Sequence, residues 1–182
     1  VNLHANIRDW LADIEAPRWA WSAAYSFDAS LQAILHLGAG ATLCLLSDTH
    51  RLAPELLQAA LDDWDADVFD TTPALLEMLL QCTPSRLPTV LVGGEAIGPA
   101  LWDALTEHYG NGTGRALNVY GPTECSVDAT MQPIEPGTRP SIGDAVAGMH
   151  TYVLDAYGQP VPDGAVGELY LSGLGLARGY LH

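Results

Sequence analysis

"TVLVGGEAIGPALWDALTEHYGNGTGRALNVYG", Thr89 to Gly121, is the stretch that decides the fold. An unbroken apolar run stops at Gly93-Gly94-Glu95, and Gly98 to Tyr109 then has the spacing and opening proline of a helix. A second apolar run from Arg115 stops at Tyr120-Gly121. Apolar runs without alternation are strands buried on both faces, and a helix between two of them is how parallel neighbours are joined. The same rhythm extends toward the N-terminus. "NIRDWLADI" (6–14) reads as an amphipathic helix and "RWAWSAAYS" (18–26) as a strand. "LQAILHLGAG" (31–40) reads as a helix ending in glycine, and "ATLCLLS" (41–47) as a buried strand. "PELLQAALDDW" (54–64) is a helix, "ADVFD" (66–70) a short strand, and Thr72-Pro73 has the chemistry of a helix start, opening "PALLEMLLQ" (73–81). The expected class is α/β, an open parallel sheet with helices on both faces.

After Pro133 the texture changes. "PIEPGTRPS" (133–141) is linker-like, and "TYVLDAYGQPVPDGAVGELYLSG" (151–173) reads as short strands joined by "AYGQ" and "PDGA" turns. The expected division is an α/β unit over 1–138 and a β-rich piece over 139–182. That second piece has little core of its own, and the expectation is a chain cut from something larger.

Of the 182 residues, 48% are apolar and 16% charged, which suits a buried core and argues against disorder. No apolar run approaches the roughly 20 residues of a membrane span, and the first residues hold no basic stretch followed by an apolar one, so a secretion signal is not expected. Cys44, Cys82 and Cys125 are odd in number and form no CxxC pair, the pattern of reduced thiols in a cytoplasm. The six His have no paired spacing for zinc. A net charge of −15 argues against nucleic acid. There are seven Arg and no Lys, so phosphate chemistry here must rest on backbone N–H groups, a metal, or residues outside the chain.

Ligands of open parallel sheets sit beyond the carboxyl ends of the strands, and the chemically marked residues fall there. Phe27-Asp28 follows one strand and Asp70 another; Gly93-Gly94-Glu95 follows a third, and Tyr120-Gly121-Pro122-Thr123-Glu124 a fourth. Each has a bland reading: Asp28 or Ser30 as a helix cap, Asp70 as a neighbour of the Thr72 cap, the glycines as an ordinary turn, Tyr120 as a half-buried aromatic. Their gathering along one edge is what favours a site.

At these residues the chain resembles the adenylation domains of nonribosomal peptide synthetases, in the adenylate-forming superfamily. "NVYGPTE" (118–124) is similar to their adenine and magnesium motif, and "FDAS" (27–30) to the start of their substrate-pocket motif. "VNLHANI" (1–7) resembles the run after their phosphate-binding loop, and "GELYLSGLGLARGYL" (167–181) the motif opening their small β-barrel. The resemblance implies a flavodoxin-like sheet followed by the beginning of an incomplete, distorted β-barrel. It implies amino-acid activation: amino acid and ATP give aminoacyl-AMP and pyrophosphate, and the aminoacyl group then passes to the phosphopantetheine thiol of a carrier domain, as in antibiotic biosynthesis. Asp28 would hold the substrate's α-ammonium. Tyr120 would stack on adenine against Gly94, Glu95 and Ala96, with Asn118 beside it. Thr123 would contact the α-phosphate and Glu124 would bind Mg²⁺. The side chain of the amino acid would face Ala29, Gln32, Asp70, Leu91, Gly93, Val119, Val127 and Asp128. With Asp28 these spell D-A-Q-D-L-G-V-V-D, similar to the pattern associated with glutamine, as in an indigoidine-type synthetase. Two acids in the pocket leave lysine or ornithine open, and acyl-CoA synthetases share the nucleotide motif but have no use for an acid at position 28. A non-catalytic amino-acid-binding module is a further alternative. The family's phosphate loop, ribose-binding Asp and catalytic Lys are not in this sequence, so the expectation is that the chain does not adenylate alone. A small activator protein is a further implied partner.

Overall fold

The computed structural model of the chain describes residues 1–84, 86–110, 112 and 114–181. In chain order the elements are α1 (Asn2–Trp10), β1 (Arg18–Trp21), α2 (Ser30–Leu37), β2 (Thr42–Leu45), α3 (Asp48–Leu52), α4 (Pro54–Asp63), β3 (Val68–Thr71), α5 (Pro73–Leu80), β4 (Thr89–Val92) and α6 (Pro99–Tyr109). There follow β5 (Ala116–Tyr120), a single 3₁₀ turn at Thr123–Cys125, β6 (Thr130–Ile134), β7 (Asp144–Ala145), β8 (Met149–Leu154) and β9 (Glu168–Gly173). Seven strands form one sheet in the order β2-β1-β3-β4-β5-β6-β7, and β8 pairs with β9 in a second, antiparallel sheet. β1 to β5 run parallel in the flavodoxin-like order 2-1-3-4-5.

Strand residues alternate between two cores, as a period of two requires. Phe69, Val90, Val92 and Ala116 face α4, α5 and α6 through Leu57, Leu61, Leu76, Leu79, Leu101 and Leu105. Trp19, Val68, Leu91, Leu117 and Val119 face α1 and α2 through Leu3, Ile7 and Ala33. Burial on both sides explains why these strands read as continuous apolar runs. Helix starts follow local chemistry: proline opens α4, α5 and α6, and the Thr72 hydroxyl accepts the Leu75 N–H at 3.4 Å.

Several expectations are corrected. The first helix begins four residues earlier than its amphipathic run, and β1 ends at Trp21, so 22–29 is a loop and Asp28 lies well beyond the strand. β2 is an edge strand with Leu45 63% exposed, because among the described residues no strand lies outside it; its apolar run does not make it buried. The run from 133 read as linker-like does not end the sheet. β6 pairs antiparallel with β5 through Leu117–Pro133, and β7 pairs with β6 at Thr130 and Met131. Pro133 is tolerated where β7 no longer pairs with β6, since a missing N–H is harmless on an open edge. The turns read in 156–165 are present: the Asp155 carboxylate accepts the N–H groups of Tyr157 (2.8 Å) and Gln159 (2.9 Å).

Candidate functional site

In this strand order β1 and β3 are neighbours whose connections leave in opposite directions, which opens a crevice at their carboxyl ends. Asp70, paired in register with Trp21, stands in it. Its carboxylate accepts the Trp19 indole N–H at 3.0 Å and the backbone N–H groups of Ser22 and Ala23 at 3.3 Å each. The Ser22 hydroxyl donates to the Asp70 carbonyl at 2.6 Å. Burial pushes the Asp70 carboxyl up to about 6, and the three donated hydrogen bonds oppose the rise. Asp70 is therefore neither a cap for α5 nor a free acid; it clamps the loop after β1.

Asp128 is a second buried acid. Gln32, buried on α2, donates its Nε2–H₂ to both oxygens of Asp128 at 2.9 Å. Burial pushes Asp128 up to about 7; the Gln32 donors hold it back, and the negative charge of Asp28 adds to the rise. Asp128 is aimed by strained backbone. Ser126 and Val127 have φ of 60° and 78°, and the Asp128 N–H donates to the Ser126 carbonyl at 3.1 Å, a tight γ-turn centred on Val127. A β-branched residue holds this conformation only when its surroundings impose it. Asp28 is no cap either: the N-cap of α2 is Ala29, with no side-chain hydrogen bond, and the Asp28 carboxylate instead accepts the hydroxyl hydrogen of Thr123.

These residues enclose a cavity of about 870 Å³. Asp28, Ala29 and Gln32 line it from the loop and α2; Asp70, Leu91 and Gly93 from β3 and β4. Val119 lines it from β5, Val127 and Asp128 from the segment between β5 and β6, and Thr123 and Glu124 from the 3₁₀ turn. A second cavity of about 450 Å³ is lined by Gly94, Glu95, Ala96, Asn118 and Tyr120, and it shares Gly94, Val119 and Gly121 with the first. Tyr120 leaves 40% of its surface exposed at the end of β5, and Asn118 donates to the Ser141 carbonyl at 2.7 Å. Gly93 is required by proximity, because a Cβ there would lie 2.8 Å from Val119 Cγ2. The Glu124 carboxylate accepts the Tyr180 hydroxyl hydrogen at 3.0 Å. Among the described residues no three His, Cys, Asp or Glu side chains gather to hold a metal, so Glu124 would be a lone protein ligand.

Sequence reasoning missed Trp19, Ser22, Tyr180 and Arg51. Arg51 also lines the larger cavity, from α3 just past β2; the strand-end rule applied to β2 would have found it. Nothing local marks Trp19 or Tyr180, whose partners lie 51 and 56 residues away.

The two raised acids set a pH dependence. In the unfolded chain they titrate near the ordinary 3.8, in the folded protein near 6 and 7, so the folded state binds more protons between these values. Their contribution to stability is complete below pH 3.8 and is lost as pH rises through 6 to 7. Urea unfolding should therefore give a free energy that falls from pH 4.5 to pH 7.5, and Asp128→Asn should flatten that slope. An equally steep slope in the variant would remove Asp128 as its source. Asp13 and Asp65, held low by Arg115 and Arg18, act with the opposite sign and below that window.

The family model for AMP-binding enzymes matches residues 1–181. Vanchrobactin synthetase VabF of Vibrio anguillarum is 41% identical over 170 residues, which are 91% of this chain and 6% of that protein. Novobiocin biosynthesis protein H of Streptomyces niveus is 40% identical over 158 residues, 86% of this chain and 25% of that protein. Among solved structures, the four-domain nonribosomal peptide synthetase holo-AB3403, bound to AMP and glycine, superposes with a TM-score of 0.88 at 30% identity, covering 98% of this chain and 14% of that one. The chain thus spans only a small part of the proteins it resembles. With every element of the site inside the matched span, the chain belongs to the AMP-binding enzymes and is a relative of the adenylation domains of nonribosomal peptide synthetases.

Proposed function

We propose that this chain is the substrate-selecting part of an amino-acid-adenylating ligase of a nonribosomal peptide synthetase, and that its amino acid is L-glutamine. One observation carries the reading: every residue assigned to the amino acid lines one cavity, every residue assigned to adenine lines the next, and the two share a wall. In the reaction a carboxylate oxygen of the amino acid bonds to the α-phosphorus of ATP, the bond to the leaving phosphates breaks, and pyrophosphate departs. Asp28 anchors the α-ammonium by a charge-assisted hydrogen bond. Thr123 faces the α-phosphate, and Tyr120 stacks on adenine opposite Gly94, Glu95 and Ala96, with Asn118 beside the base. Glu124 would hold Mg²⁺, which when bound would supply positive charge beside the phosphoryl oxygens; a single protein carboxylate suits an ion that takes its other ligands from phosphates and water. A catalytic Lys would have to come from outside these residues, which include Arg but no Lys. On this reading 1–138 is the specificity unit and 139–182 begins the barrel. The partners are the remaining subdomains, a carrier domain with its phosphopantetheine, and a small activator protein.

Glutamine is favoured over lysine or ornithine by how the acids are used. Asp70 is turned to its own chain, so one acid remains, and Gln32 already donates to it. A neutral carboxamide can exchange hydrogen bonds with Gln32 and Asp128, whereas a cation would need a freely ionised partner. Amino-acid-dependent ATP–pyrophosphate exchange by the polypeptide that carries this chain tests the reading. Glutamine should exceed ornithine, lysine and glutamate by roughly 100-fold in kcat/KM, the range a hydrogen-bonding pocket reaches with ease. A preference for ornithine or lysine would end the glutamine assignment, and exchange driven by fatty acids alone would end the amino-acid reading.

A further inference from the structure

We infer that Trp19 is a positioning residue for the amino-acid site: its indole N–H ties Asp70 to the 22–29 loop and so sets where Asp28 stands. The inference rests on the amino-acid reading of the cavity and deepens it. Trp19 is fully buried on β1 and is not part of the cavity wall, so it touches no ligand. Both oxygens of Asp70 are engaged by chain donors, Oδ1 by Trp19 and Ser22 and Oδ2 by Ala23. The three N–H groups aimed at this carboxyl favour its charged form and so oppose the rise that burial imposes. The Ser22 hydroxyl closes a second link to the Asp70 carbonyl. From this clamp the chain runs through Tyr25, whose carbonyl accepts from Ser30, to Asp28, which meets Thr123 across the cavity. The acid at position 70 thus acts on the ligand through the loop it orders.

Trp21 supplies an internal control. It lies two residues further along the same strand, and its buried indole nitrogen has no partner. An indole N–H on β1 is therefore not in itself a link to the site; the one at position 19 is. The charged and titratable groups around the junction are few. His36 of α2 packs on Trp19 with ring centroids 5.0 Å apart, its pKa lowered by burial, and His4 of α1 packs on His36; Asp28, Asp128, Glu124 and Arg51 share the cavity with Asp70.

Trp19→Phe keeps a ring and removes the donor; Trp21→Phe removes an N–H that binds nothing. In the polypeptide that carries this chain, Trp19→Phe should raise KM for the amino acid about 10-fold, the loss of one charge-assisted hydrogen bond, with kcat and KM for ATP unchanged. Trp21→Phe should change neither. In the 182-residue chain, the ¹³C titration of the Asp70 carboxyl should move upward by about one pH unit in Trp19→Phe, because a donor that favours the anion is gone, and should stay in place in Trp21→Phe. Unchanged Asp70 titration and KM in Trp19→Phe, or equal effects from both tryptophans, would overturn the inference. If no amino acid drives exchange in the parent while the Asp70 titration moves as stated, the Trp19–Asp70 tie stands and the adenylation reading falls. If Trp19→Phe does not fold, the Trp19 indole proton decides. In the native chain it should shift with the Asp70 midpoint, and in Asp70→Asn it should show no such step; an indole signal indifferent to pH in the native chain would refute the tie.

Discussion

Gly121→Ala should cost about 3 kcal/mol of stability, at the upper end for an overpacked interior, and lower Tm by roughly 8 °C in a chain of this size. Its φ is not in the left-handed region, so the requirement for glycine is one of space. A Cβ on residue 121 would lie 2.2 Å from the Val127 carbonyl oxygen and 2.7 Å from the Ala129 nitrogen. Both are backbone atoms, so no side chain can rotate out of the way. The Ala129 N–H also donates to the Tyr120 carbonyl at 2.8 Å, which fixes the two segments against each other. The only relief is to move the γ-turn at Val127, and that turn carries Asp128. Thermal unfolding measures the first effect, and loss of the Asp128 titration step near pH 7 the second. A loss below about 1 kcal/mol, within the range of ordinary surface changes, would mean that the two segments are not held this closely.

Asp28→Ala should raise KM for the amino acid by about 100-fold in the parent enzyme. Truncating one partner of a buried charge pair costs about 2–5 kcal/mol, and the lower part of that range applies because Asp28 is only half-buried. KM for ATP should be unchanged, since the residues proposed for adenine line the neighbouring cavity. The Thr123 hydroxyl would lose its acceptor, so a fall in kcat of a few fold is also expected from the α-phosphate contact assigned to it. Asp28→Asn separates charge from shape: it should keep the Thr123 hydrogen bond and still lose most of the amino-acid affinity. Wild-type KM in either variant would remove Asp28 from the anchoring role, whatever the identity of the substrate.

The layers of the fold were legible because they rest on local pattern. Apolar runs marked β3, β4 and β5, and Thr72-Pro73 marked α5, since capping is chemistry within four residues. The rim was legible for the same reason: glycines and acids stand at strand ends. What each acid does there was not legible. Asp70 and Asp128 look alike in the sequence, yet one clamps a loop through Trp19 and the other is held by Gln32, 96 residues away. Hydrogen bonds across such separations leave no periodicity behind them. The antiparallel β6 and β7 were hidden by Pro133 and by the brevity of β7, two residues long. The positive φ at Ser126 and Val127 was hidden because neither residue type announces it.

The partition made by Val119, Gly121 and Gly94 belongs to both chambers at once. Guests of two chambers lined by the same residues cannot ignore each other, and thermodynamics makes their influence mutual. Whatever factor the first arrival changes the grip on the second, the second returns to the first. Enlarging the partition to reshape one guest's lodging would therefore be felt, by contact, in the other's.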